Sequence, residues 1–184
     1  MTPQTTPAAA SPASSPHPDS ISARIAAFGA VLTPDDIPRA VRERATFHVL
    51  DVVGTALAAT RCEFAEKALA GLQALGERGT GSVIGLPAQL PLRDAVLMNG
   101  ILAHGLDFDD THPGAIVHPS SSAFACALGL AEHLDASGRE LLAAYLLGVD
   151  VTTRIGLAAR GTMHTSGFHT TGIAGHFGCA MVAG

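Results

Sequence analysis

The amino-acid sequence predicts an all-α, multi-helix fold. Apolar residues recur three and four positions apart along most of the chain after residue 20, which is the pattern of helices with one buried face. Prolines, hydroxyl residues and acids stand where these periodic segments begin. Only residues 82–84 show a pattern typical of a strand. A chain of 184 residues with 47% hydrophobic residues is long enough to bury one core.

Turn and capping signals separate the predicted helices. The second helix should begin at Thr33, because the sequence T-P-D-D combines a capping hydroxyl, a proline and two acids. The helix that follows Ser137 has the S-x-x-E pattern of a capping box with Glu140. Along that helix, Asp150 needs a partner, and Arg154 lies one turn further on. In order, the helices are predicted at residues 21–32, 33–59, 63–75, 94–106, 120–134, 137–159 and 169–184.

Composition and charge narrow the classes of function. Residues 1–20 are rich in Pro, Ser and Ala and predict a disordered tail without the basic or apolar region of a targeting signal. A net charge of −5 without a basic block is not typical of proteins that bind nucleic acid or anionic membranes. No apolar run is long enough to cross a membrane. The widely spaced Cys62, Cys126 and Cys179 form no metal-binding pattern and indicate a reducing, cytoplasmic environment.

Titratable residues cluster between residues 99 and 122, where two small-residue apolar segments meet. Carboxylates and imidazoles at such a junction need partners, a solvated cleft or a ligand. If the helix before them extends one turn further, Asp107, Asp110 and Thr111 lie on one face. Asp109 is then expected to point away from that face and to matter less for turnover. The sequence therefore predicts an acid/base site carried by a helix.

Two helix starts in the sequence combine a histidine with hydroxyl residues. His118 precedes P-S-S-S, and His169 precedes T-T-G. The first N–H groups of a helix lack partners and attract anions. If both starts face one cleft, they can hold a substrate that carries two or more carboxylates.

Several motifs in the chain resemble the MmgE/PrpD family, which includes 2-methylcitrate dehydratase, cis-aconitate decarboxylase and iminodisuccinate epimerase. The matching segments are A-H-G-L-D-F-D-D-T-H, H-P-S, S-G-R-E-L-L-A-A-Y, R-I-G and G-F-H-T-T-G-I-A-G, and the resemblance covers about residues 21–184. It implies the N-terminal part of a large helical domain without the smaller α/β lid domain of the family. It also implies a dimeric lyase, free of metal and cofactor, that dehydrates, decarboxylates or epimerises a short polycarboxylate.

The resemblance also implies roles for individual residues. Asp107, Thr111, His118 and His169 match positions that line the family's active site. The residues assigned to substrate binding are His104, His112, Ser120 and Thr170, where Thr170 replaces a proline that is frequent in the family. Other family active-site residues, including lysines and a tyrosine, lie in portions absent here. We therefore expect a fragment that is inactive alone, and that forms a homodimer or pairs with a chain carrying the missing half.

Three alternatives stay open from the sequence. The segment D-F-D-D-T satisfies the D-x-D-x-T motif of haloacid dehalogenase-type phosphatases, which requires a preceding strand and a downstream lysine, whereas Lys67 is the only lysine and lies upstream. The chain can also be a non-catalytic half-subunit. A metal site formed by Asp107, Asp110, His112 and His118 has no recognisable ligand spacing, so no metal is expected.

Overall fold

The computed structural model describes residue 17 and residues 20–184. Apart from residues 17 and 20, the tail predicted at residues 1–20 lies outside the described residues. The chain divides into two compact units, Met1–Val31 and Leu32–Gly184. In the first unit, α1 covers Ile21–Val31, and the Ser20 hydroxyl accepts a hydrogen bond from the Ala23 N–H at 3.2 Å.

The second unit is built from helices and one small hairpin, so the predicted all-α class is confirmed. Its elements are α2 (Arg39–Ala59), α3 (Glu63–Leu75), β1 (Gly81–Val83), β2 (Leu86–Leu90), α4 (Leu92–His104), α5 (Pro119–Leu134), α6 (Gly138–Ala159), α7 (Thr162–Thr165) and α8 (Thr170–Ala183). The predicted bounds of the helix at residues 63–75 are those of α3. The predicted capping box at the start of α6 is present, and Arg154 donates to Asp150 at 2.7 Å.

The predicted start of the second helix is wrong. The Asp36 carboxylate accepts hydrogen bonds from the Thr33 N–H at 2.8 Å and from its hydroxyl at 2.6 Å. These bonds close a turn, and α2 begins only at Arg39, after Pro38. A capping residue and a following acid stabilise a turn as well as a helix start, which is why the sequence misled.

The short hairpin extends the single predicted strand. Antiparallel pairing joins Gly81 to Leu90 and Ser82 to Gln89. The second strand contains a proline, which hid it in the sequence. Asn99 of α4, a buried residue, fixes the hairpin: its amide donates to the Ser82 carbonyl and accepts from the Ile84 N–H, both at 2.9 Å.

The core lies between α2, α4, α5, α6 and α8, and its side chains are mostly small. Its largest fully buried side chains include Tyr145, Met98 and Leu102. By length and mean hydropathy α6 is the one described helix that could cross a membrane. Its buried residues Tyr145, Leu147 and Val151 belong to this core, as expected for a central helix of a folded domain.

Helices α6 and α8 approach closely because glycines lie at their contact. A Cβ atom at Gly178 would lie 2.1 Å from the Thr152 hydroxyl oxygen and 2.7 Å from the Gly148 carbonyl oxygen. One at Gly148 would lie 2.6 Å from a methyl carbon of Val182. Side chains at either position would therefore force the helices apart.

We predict opposite effects for two alanine substitutions. Gly178→Ala should lower the free energy of unfolding by about 1–3 kcal/mol, because its methyl group meets backbone that cannot move aside. Gly54→Ala is the control, since a Cβ atom there meets nothing within 4 Å. It should raise the free energy of unfolding by about 0.5–1 kcal/mol. Urea unfolding followed by circular dichroism measures both, and equal effects would contradict close packing of α6 on α8.

Candidate active site

The acidic segment between α4 and α5 is a loop, so the predicted helical face is wrong. Helix α4 ends at His104. Asp107 has a left-handed backbone with φ of 56°, a conformation that few residues other than glycine adopt and that does not continue a helix. Asp107, Asp110 and Thr111 therefore reach their positions through loop geometry.

Asp109 lies at the centre of the site, contrary to the prediction that it points away. Its side chain is fully buried. One carboxylate oxygen lies 2.9 Å from Nδ1 of His104 and 3.5 Å from Nδ1 of His118. The other oxygen lies 3.2 Å from Nδ1 of His104. A buried carboxylate requires such partners, and here two histidines supply them.

His118 connects the loop to the starts of two helices. Its backbone N–H donates to the Thr171 hydroxyl at 3.0 Å, which ties the start of α5 to the start of α8. Its Nδ1 lies 3.4 Å from the Thr111 hydroxyl oxygen, and its Nε2 lies 3.7 Å from Asp107. The Asp107 side chain is 77% exposed, so Nε2 of His118 is on the solvent side of the cluster.

Four imidazole rings follow one another across the site. Ring centroids are 5.1 Å apart for His104 and His118, 6.3 Å for His104 and His169, and 5.9 Å for His164 and His169. No sequence pattern pointed to His164, which the short helix α7 brings here. The structure brings Asp107, Thr111, His104, His118 and His169 together and places Asp109 and His164 beside them. Their roles in catalysis stay predictions.

The positive end of α5 is already occupied by a carboxylate of the chain. Asp110 accepts hydrogen bonds from the Ser120 N–H at 3.1 Å and from its hydroxyl at 2.8 Å. The buried Tyr145 hydroxyl lies 2.6 Å from the same Ser120 oxygen, and Nδ1 of His48 lies 3.7 Å from Asp110. A substrate anion at this helix end would compete with Asp110, so the expected anion site at α5 is filled internally.

The other residues predicted to bind substrate have protein partners. Thr170 is buried, and its hydroxyl lies 2.7 Å from Nδ1 of His164. Nδ1 of His112 accepts a hydrogen bond from the Ala115 N–H at 3.1 Å, in a turn closed by pairing of His112 with Val117. Their direct contact with a substrate, like that of Ser120, stays a prediction.

Potential metal ligands in the described residues are not the set weighed from the sequence. His104, Asp107, Asp109 and His118 each offer one ligand atom, and these atoms lie within 4.8 Å of one another. Two nitrogens and two carboxylate oxygens suit a zinc-like divalent ion. The hydrogen bond with His104 and the ion-pair contact with His118 account for the surroundings of the Asp109 carboxylate equally well. Asp110 and His112 are engaged elsewhere, as described above.

Comparisons with known proteins agree on one family. Residues 23–184 match the family described as the MmgE/PrpD N-terminal domain. The cis-aconitate decarboxylase of Aspergillus terreus (strain NIH 2624 / FGSC A1156) is 29% identical over 170 residues, covering 89% of this chain and 35% of that protein. Cis-aconitate decarboxylase of Homo sapiens is 31% identical over 150 residues, covering 78% and 31%. The chain therefore spans about a third of the length of these curated relatives.

Asp110 gives a pH-dependent prediction. Burial raises the pKa of its carboxyl above the ordinary 3.8, although the hydrogen bonds from Ser120 oppose the shift. Above pH 3.8 the folded protein therefore holds a proton that the unfolded chain loses, and this stabilisation disappears as the pH rises through the raised pKa. The unfolding free energy of the wild type minus that of Asp110→Asn should become smaller as the pH rises from 3.8.

Urea unfolding at several pH values measures this difference. Tyr145→Phe is the control: it removes the neighbouring hydroxyl but leaves the Asp110 carboxyl, so its slope with pH should match that of the wild type. A difference for Asp110→Asn that grows with pH would show that the folded state favours the ionised carboxylate.

Proposed function

The chain belongs to the MmgE/PrpD family, and on that premise we propose that it takes part in acid/base lyase chemistry on a short polycarboxylate, with decarboxylation of cis-aconitate as the first reaction to test. The observation that carries this proposal is the convergence of His104, His118 and His169 beside Asp107 and Asp109. Because curated relatives are named cis-aconitate decarboxylase, we favour decarboxylation over dehydration of 2-methylcitrate or citrate.

The histidines supply the positive charge that a polycarboxylate needs. Lys67, the only lysine, is on α3 and pairs with Glu63 at 2.5 Å. Protonated imidazoles at His104 and His118 can bind carboxylate groups and also donate protons. His169, whose Nδ1 accepts a hydrogen bond, can donate from Nε2. The start of α8 adds backbone N–H dipoles beside His169, whose Nδ1 accepts the Gly172 N–H at 3.4 Å.

Decarboxylation requires one proton for each carbon dioxide released. When the carbon–carbon bond breaks, its electron pair stays on the remaining carbon skeleton as carbon dioxide leaves. A proton from an imidazolium then forms the new carbon–hydrogen bond, and solvent returns a proton to the ring. Nε2 of His118 is on the solvent side beside Asp107, which makes His118 our choice for this acid.

The remaining parts of the proposal concern the whole protein. Because the chain spans about a third of its relatives' length, we propose that a complete site needs further family residues, supplied by a partner chain or a longer protein. We also propose that the whole protein forms a homodimer and is located in the cytoplasm. The phosphatase alternative has little support, since the segment before D-F-D-D-T is the helix α4 and not a strand.

We predict that His118→Ala and Asp107→Asn each lower turnover about a hundredfold or more without unfolding the chain, as expected for a positioned acid and its neighbour. Carbon dioxide release from cis-aconitate should be measured on this chain alone and after co-expression with the C-terminal portion of a relative. His133→Ala, an exposed histidine near the end of α5, is the matched control and should leave the rate unchanged. Near-normal turnover in His118→Ala would show that His118 is not the acid in this reaction.

We also predict that the activity of this assembly survives EDTA. Proton transfer by imidazoles needs no metal, so chelation should change the rate by less than about twofold. Loss of activity that zinc or magnesium restores would contradict this mechanism and would favour metal binding by the His104, Asp107, Asp109 and His118 set.

A further inference from the structure

We propose that Asp109 is a positioning residue: its carboxylate holds the Nδ1–H of His104, its carbonyl oxygen holds the Nδ1–H of His118 beside that carboxylate, and Nε2 of both rings is left free for proton transfer. The use of those nitrogens in catalysis rests on the proposed function. The hydrogen-bonded arrangement itself rests only on the geometry of these three residues. Neither the sequence motifs nor the relatives assigned this role to Asp109.

The Asp109 side chain is fully buried, so its carboxylate depends on hydrogen-bond donors of the protein. Nδ1 of His104 lies within 2.9 Å and 3.2 Å of its two oxygens. A carboxylate oxygen only accepts hydrogen bonds. Nδ1 of His104 must therefore carry the hydrogen, which leaves its Nε2 with a lone pair when the ring is neutral.

Nδ1 of His118 also faces hydrogen-bond acceptors. Nδ1 of His118 lies 3.5 Å from the Asp109 carboxylate, 3.3 Å from the Asp109 carbonyl oxygen and 3.4 Å from the Thr111 hydroxyl oxygen. Two of these three neighbours can only accept a hydrogen bond, and the hydroxyl can accept as well. A hydrogen on Nδ1 satisfies this environment, and Nε2 then faces the solvent-exposed Asp107 side.

One buried carboxylate behind two rings also affects their charge. When either Nε2 takes up a proton, the negative charge of Asp109 stabilises the new positive charge on the ring. Asp109 does this without contacting the substrate. The aspartate of the Ser-His-Asp triad acts on its histidine in this way, and replacing it with asparagine costs about 10⁴-fold in kcat. The Asp109 carboxylate contacts Nδ1 of His104 and the Asp109 carbonyl oxygen contacts Nδ1 of His118, so a single residue sets the tautomer of both rings.

Nitrogen-15 NMR of the histidine rings in this chain tests the proposal without any need for turnover. His104→Gln and His118→Gln assign the two signals. In the neutral state both rings should be Nδ1–H tautomers, whereas free histidine in water favours the Nε2–H form. Asp109→Asn should lower the Nδ1–H population of His104, because its amide group can donate to that nitrogen. Asp150→Asn, on the surface of α6, should leave both spectra unchanged.

The wild-type spectrum alone decides the outcome if Asp109→Asn fails to fold. Nε2–H tautomers at His104 and His118 in the folded wild-type chain would overturn the proposal. So would a His104 ring signal that does not respond to Asp109→Asn in a folded variant.

Kinetics separate this proposal from the proposed function. In the assembly that releases carbon dioxide, Asp109→Asn should lower kcat about a hundredfold or more and leave KM little changed, because Asp109 does not contact the substrate. The expected tautomers without any turnover would support the positioning role and count against the proposed function. Turnover with the opposite tautomers would overturn the positioning role alone.

Discussion

The pair of hydrogen bonds from Ser120 to Asp110 holds the site together. They give one free N–H in the first turn of α5 a partner and anchor the loop from α4 to that helix start. Asp109, the neighbouring residue, then faces His104 and His118. Two adjacent carboxylates thus serve opposite sides of one backbone segment, one capping a helix and the other contacting imidazoles.

Small side chains in the core determine how close the helix starts come. Gly148 and Gly178 let α6 and α8 meet almost backbone to backbone. Thr171, at the start of α8, can then accept the N–H of His118 at the start of α5. The apolar, alanine-rich helices and the polar site are therefore parts of one arrangement, since the packing positions the histidines that the chemistry needs.

Residue patterns predicted the helical class well, because a buried helical face repeats regularly along the chain. They located α3, the capping box of α6 and the Asp150–Arg154 pair, all of which depend on residues near in sequence. The family motifs also assigned His104, His118 and His169 to one site, and their rings lie near one another in the structure. Those motifs named residues without giving the shape of the loop that carries them.

The misses have separate physical causes. The signal at Thr33 predicts a helix start, but Asp36 closes a turn there. Asp109 was expected to point away because a helix was assumed, whereas the left-handed backbone at Asp107 ends that regularity. His164 depends on a contact with Thr170 across the loop after α7, which no local spacing can reveal.

The order of carboxylates in the loop also bears on how this segment can change during evolution. An insertion or deletion between His104 and Thr111 would change which residue faces α5 and which residue faces the rings. Both sets of hydrogen bonds would then be lost. The turn at Pro113 and Gly114 is exposed, and the pairing of His112 with Val117 closes it. Differences in loop length among related chains should therefore accumulate within this turn, while the spacing from His104 to Thr111 stays fixed.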